Sequence, residues 1–67
     1  MMSNFDVLYK AGLFPGNVTQ ESDLDPKVQA TIKSLSQEEI SALISMFKKL
    51  DGVAQDQVRD LMRTASF

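Results

Sequence analysis

The candidate chemical groups in this chain are paired carboxylates, because its 67 residues include no histidine and no cysteine. The usual nucleophile–base triads and thiol chemistry are therefore excluded, as are the usual zinc-finger ligand sets. One candidate pair of carboxylates is Asp23 with Asp25. The other is Glu38 with Glu39, which are consecutive on a predicted helix and therefore point apart. A chain of this length should also lack a substrate cleft of about 300 Å³ or more, so we expect no enzyme, no cofactor and no metal site.

Residues 35–52 resemble the entering helix of a calcium-binding EF-hand, and Asp51 would then be the first calcium ligand. Val53 would stand at the third position of the loop, where its side chain has no oxygen to offer. Met62 would stand at the twelfth position, where the closing glutamate belongs. The sequence therefore does not predict calcium binding, and two capped amphipathic helices explain the pattern more simply.

Basic residues are scattered along the chain and do not form the stripe that binding to a phosphate backbone needs. Seven Lys and Arg stand against nine Asp and Glu, which gives a net charge of −2 and a pI near 4.8. On the last predicted helix Arg59 and Arg63 face the same way. Asp56 and Asp60 alternate with them, and their negative charge opposes docking against DNA. A small helical DNA-binding or regulatory domain therefore stays as the alternative function.

The N-terminal residues lack the basic and apolar regions of a signal peptide, and no apolar run approaches the ~20 residues of a membrane span. We therefore expect a cytoplasmic protein with no membrane contact. The glycosylation pattern at residues 17–19 is not expected to be used in that location.

The clearest helix start lies at residues 35–40, with the sequence LSQEEI. The hydroxyl of Ser36 can accept from the backbone N–H of Glu39, and the Glu39 carboxylate can reach back to the N–H of Ser36. Leu35 and Ile40 occupy the flanking apolar positions of such a start. The residues that follow form an apolar stripe of period 3.6, made of Ile40, Leu43, Ile44, Phe47 and Leu50. This stripe predicts an amphipathic helix over residues 37–50.

Three more helices follow from similar signals. The first covers residues 4–11, with Ser3 or Asn4 as its cap and Gly12 in the left-handed position after its end. Residues 18–24 are predicted to be a loop. Asp25 and Pro26 then begin a helix that ends near residue 33 or 34. The last helix covers residues 53–63, with Ala54, Val58, Leu61 and Met62 on one face and its charged side chains on the solvated face. The prediction is an all-α fold, a compact bundle of three to four short helices, as one domain over residues 1–67.

The apolar face of the third helix is wider than one neighbour needs, because Ala42 and Met46 extend it to roughly 200° at 100° per residue. Met46 is expected in the core, with a partner surface as the alternative, and Phe14, Met62 and Phe67 are similar cases. The function predicted from this face is docking of the apolar helix face into a groove of a protein partner. The anchors are Leu43, Met46, Phe47 and Leu50, with Phe5 and Leu8 as the alternative face. A homodimer through the same apolar face is a further possibility.

A series of short motifs lies along residues 5–52: Phe5-Asp6, residues 8–12, Leu24, residues 28–32, residues 35–40, Leu43 and residues 48–51. Together they resemble the aroma-sacti cluster domain proteins, small bacterial proteins whose genes accompany radical-SAM peptide-maturation genes. The resemblance implies a leader-like or accessory protein that a peptide-maturation enzyme grasps. A sulfur-to-carbon crosslinked product would need cysteine, which this chain lacks. Residues 53–67 also read as a helix without a double-glycine cleavage site, so an accessory or recognition module fits better than a crosslinked precursor.

Overall fold

The computed structural model describes residues 2–64, in which residues 11–25 connect the first two helices and short turns connect the others. Four α-helices are present there, α1 (Asn4–Lys10), α2 (Pro26–Ser34), α3 (Gln37–Lys48) and α4 (Gly52–Thr64). The radius of gyration is 11.0 Å, close to the roughly 11 Å expected for a compact chain of this length. The predicted all-α bundle is confirmed.

Side-chain caps fix where three of the helices begin. At α3, the Ser36 hydroxyl accepts from the Glu39 N–H at 3.1 Å and the Glu39 carboxylate accepts from the Ser36 N–H at 2.9 Å, as predicted. Ser3 and Asp6 form the same reciprocal pair at α1. Asp25 caps α2, with proline at the first helical position. Each such cap contributes about 1 kcal/mol to helix stability, so the helix starts are set locally.

The turn after α1 directs the chain back into the core. Gly12 has a φ of +88°, a left-handed conformation that glycine adopts without the steric cost that a side chain would add. The Leu13 N–H then donates to the Leu8 carbonyl, and the Leu13 side chain is buried. The predicted helix end is therefore confirmed.

The hydrophobic core draws on every helix and on the loop between α1 and α2. Its buried side chains are Phe5, Leu8, Leu13, Phe14, Val18, Leu24, Val28, Ile32, Ile40, Phe47 and Met62. The alternative docking face of Phe5 and Leu8 is therefore wrong, because both side chains lie inside the core. Phe14 and Met62 are core residues as well, whereas Phe67 lies outside the described residues.

An amide side chain joins the start of α1 to the end of α2. The Asn4 Nδ2 donates to the carbonyls of Ile32 and Leu35, each at 2.9 Å. The Ile32 carbonyl also accepts from the Leu35 N–H at 3.2 Å, so Asn4 adds a second hydrogen bond there and a first one at the Leu35 carbonyl, across 28 and 31 residues of sequence. From the sequence, Asn4 is predicted only as an alternative cap for its own helix.

The stretch predicted as a loop, residues 18–24, contains a 3₁₀ helix at Glu21–Asp23. The Asp23 carboxylate organises it by accepting from the Thr19 N–H, the Thr19 hydroxyl and the Gln20 N–H, at 3.0 to 3.2 Å. The hydrogen bond from the Thr19 backbone is the main cause that lowers the pKa of Asp23 below its ordinary value. The prediction of a loop was therefore wrong at residues 21–23. The reason is that the Asp23 carboxylate, four residues after Thr19, accepts the hydrogen bonds that hold the turn.

Removing this carboxylate should change how the protein responds to acid. A lowered pKa in the folded state means that the stabilisation is complete at neutral pH and is lost as pH falls through that pKa. We expect Asp23→Asn to lower the free energy of unfolding modestly at pH 7, and the difference between the two proteins to shrink as the pH falls below 3.8, the ordinary pKa of an aspartate. Urea unfolding of both proteins across this range measures the difference. An equal difference at both ends of the range would contradict the role assigned to Asp23.

Candidate docking groove between α3 and α4

An apolar groove of about 350 Å³ lies between α3 and α4. All four side chains predicted to bind a partner line it, namely Leu43, Met46, Phe47 and Leu50. The remaining lining comes from Leu13, Lys49, Val58 and Met62. The prediction that so short a chain would lack a cleft of this size is therefore wrong. The chain forms one because the groove is partly open to solvent rather than enclosed.

The groove exists because α3 and α4 pack mainly on other helices. Close backbone approaches join α1 with α2 and α3, and α2 with α4, whereas the consecutive helices α3 and α4 make fewer of them. Their connection is held by polar contacts instead. The Gln55 Nε2 donates to the Phe47 carbonyl at 3.0 Å, and the Asp51 carboxylate accepts from the Ala54 N–H at 2.9 Å. These contacts fix the start of α4 and leave an apolar gap beyond it.

The four predicted residues divide into a floor and a rim. Phe47 is 5% exposed and forms the floor, together with the buried Met62. Met46 is 65% exposed and Leu50 is 37% exposed, so both form the rim, and Leu43 is half-buried between the two. The expectation that Met46 lies in the core is wrong. Met46 is rotated by 100° from Phe47 around the helix, and it is Phe47 that faces the core.

Arg59 has a structural role that the sequence analysis did not predict. It was placed on the solvated face of the last helix, yet it is half-buried and its Nε donates to the Gly12 carbonyl at 2.9 Å. Its guanidinium carbon lies 5.3 Å from the centre of the Phe47 ring, and its Nη1 lies 2.6 Å from Asp56 Oδ1. Arg59 thus connects α4 to the turn after α1 and to the floor of the groove. The spacing of Asp56 and Arg59 indicated the ion pair, but no sequence signal indicated the contact with Gly12.

The apolar surface continues from the groove onto α4. Leu61, which is 38% exposed, follows the groove residue Val58 by three positions, and residues at this spacing are neighbours on a helix surface. Exposed aliphatic side chains thus lie on α3 (Met46), in the turn after it (Leu50) and on α4 (Leu61). Large exposed apolar patches mark interaction sites.

The remaining polar surface has a cavity lined by carboxylates and no metal-binding cluster among residues 2–64. Within residues 2–64, no group of three or more carboxylates is placed to hold a metal ion. A second surface cavity has Asp23, Asp25 and Arg63 in its lining and is wide open to solvent. Over the same residues, no helix combines the length and the apolar character that crossing a membrane requires.

Comparisons with known proteins add no family to these observations. No protein-family model matches the chain, no curated protein matches it, and no solved structure matches it. The groove between α3 and α4 is therefore the main structural evidence that bears on function.

Proposed function

We propose that the protein is a non-enzymatic helical interaction module that binds an apolar segment of a partner protein in the groove between α3 and α4. The observation that carries the proposal is the exposure of Met46 and Leu50 beside a groove with a buried apolar floor. Recognition of amphipathic helices in grooves depends on apolar side chains spaced three, four and seven residues apart. Leu43 and Met46 on α3, and Leu50 in the turn that follows it, are spaced three, four and seven residues apart along the groove.

The arrangement suits binding because the floor and the rim contribute differently. Phe47 is held by core packing and by the Arg59 guanidinium, so burying a partner side chain against it costs little conformational entropy. Met46 is unbranched and polarizable, and it adapts its shape to different apolar side chains. A rigid floor with an adaptable rim favours docking of a short helix over capture of one small rigid ligand.

The resemblance described above supplies a candidate partner, a peptide-maturation enzyme, and with it a cytoplasmic location. On this proposal the protein is an accessory or leader-like module, and an apolar segment of the enzyme binds in its groove. The support is the likeness of residues 5–52 to aroma-sacti cluster domain proteins. The DNA-binding alternative has less support, since Arg59, one of its two candidate arginines, is engaged with Gly12 and Asp56.

Site-specific photo-crosslinking in the host cell tests the proposal. The photoreactive residue p-benzoylphenylalanine is placed at Met46 in one protein and at Ala30 in a control. Ala30 is exposed on α2, a helix that contributes no side chain to the groove. We expect ultraviolet light to give one discrete adduct with a cellular protein from position 46 and none from position 30.

A peptide-maturation enzyme in that adduct, identified by mass spectrometry, would support the full proposal. The same background at both positions would contradict a docking function for the groove. A titration with duplex DNA at low salt separates the alternative, because binding to a phosphate backbone weakens steeply with added salt.

A further inference from the structure

We infer that the partner segment carries a carboxylate beside its apolar anchors and that Lys49 selects for it. This inference rests on the docking function proposed above and specifies the chemistry of the occupant. Lys49 is the one charged residue in the lining of the groove as the described part of the chain forms it. A charge at the edge of an apolar interface affects which partners bind more than it affects the total affinity.

Lys49 is placed where a bound segment would meet it. Its backbone N–H donates to the Met46 carbonyl at 3.1 Å, so its position directly after α3 is fixed. Met46 and Leu50, which precede and follow it in sequence, both line the groove. A lysine side chain lays its methylene groups along apolar surface and keeps its ammonium group in water. The positive charge is therefore available at the mouth of the groove.

The next two carboxylates along the chain after Lys49 make hydrogen bonds with other groups. Asp51 accepts from the first turn of α4 and Asp56 pairs with Arg59, whereas Lys49 has no ion pair within residues 2–64. The whole chain carries a net charge of −2, so its long-range field does not attract acidic ligands. A preference for acidic segments would therefore have to come from the local charge of Lys49.

The test uses a displayed library of helical peptides as the probe. Leucine is fixed at positions i, i+4 and i+7, and the other positions vary among Ala, Gln, Glu and Lys. The library is selected on the wild-type protein, on Lys49→Glu and on Lys48→Glu. Lys48 is the matched control, because it is the adjacent lysine, is exposed and does not line the groove.

We expect peptides selected on the wild type to carry Glu at least about three times as often as Lys beside the anchors. Lys49→Glu should reverse this preference and Lys48→Glu should keep it. Added salt should weaken the preference, because exposed charges are screened. Circular dichroism of each variant confirms that the helices remain.

Other outcomes separate the two proposals. Peptides that bind without a charge preference, or an equal effect of both lysine variants, would overturn the role of Lys49 and leave docking intact. A library that yields no binder would overturn both. A dimer in sedimentation that Met46→Glu dissociates would show that a second copy fills the groove, which would also overturn the inference.

Discussion

Replacing Leu8 with alanine should cost about 3 to 4 kcal/mol of folding free energy, the largest effect that a single aliphatic truncation is expected to have in this protein. Leu8 is 0% exposed and lies on α1, which packs on both α2 and α3. The change removes buried methyl groups and leaves a cavity that the short helices close only in part. A domain of this size has a total stability of roughly 3 to 10 kcal/mol, so the substitution should remove a large part of it.

Urea unfolding followed by circular dichroism measures the loss. The matched control is Leu61→Ala, the same substitution at a side chain that is 38% exposed on α4, and it should cost less than about 1.5 kcal/mol. Equal losses at the two positions would mean that the core is not centred where the structure has it.

Replacing Phe47 with alanine should cost about 3 kcal/mol or more, whereas replacing its neighbour Met46 with alanine should cost less than about 1 kcal/mol. Phe47 is 5% exposed and contacts Arg59, while Met46 is 65% exposed. Both residues were predicted from sequence as partner anchors, but the structure gives them different roles. Phe47 supports the groove from within, and Met46 is available to a partner.

Thermal unfolding of the two variants checks this division. In a domain of this size each kcal/mol corresponds to roughly 4 to 8 °C in the midpoint, so the two midpoints should lie at least about 8 °C apart. Met46→Ala should retain the native circular dichroism spectrum. A large loss of stability on truncating Met46 would show that its side chain is packed in the core, and the rim would then not exist.

Helix starts were the part of the fold that could be predicted most reliably from sequence. The pairs Ser36 with Glu39 and Asp25 with Pro26 act between residues that are neighbours in the chain, so their signals are complete in a short window. The end of α3 was less certain. The sequence predicted a helix as far as Leu50, but the structure ends it at Lys48 because the next residues turn toward the cap at Asp51.

Contacts between distant residues were not predictable in the same way. The Asn4 amide reaches carbonyls at the end of α2, and Arg59 reaches the carbonyl of Gly12 across 47 residues of sequence. In the sequence, neither Asn4 nor Arg59 differs in residue type or spacing from a polar residue on the exposed face of a helix. Such contacts depend on how the helices are arranged, which the pattern of apolar residues does not specify.

The site was predicted as a set of residues but not as a shape. The width of the apolar stripe on α3 correctly indicated that one packed neighbour would not cover it. It did not indicate which residues would be covered, because that depends on the direction in which α4 leaves α3. Met46 was therefore assigned to the core and Phe5 and Leu8 were considered for docking, and the structure reverses both assignments.

The central claim is that the groove is open in the folded protein, and methionine methyl groups report on it directly. The chain has four methionines, two of which line the groove, Met46 on the rim and Met62 on the floor. Selective ¹³C labelling of their methyl groups gives a simple NMR spectrum, to which a soluble nitroxide is added. An open groove predicts strong broadening of the Met46 signal and weak broadening of the Met62 signal. Equal protection of both signals would show that the groove is covered, and it would contradict the proposal that a partner binds there.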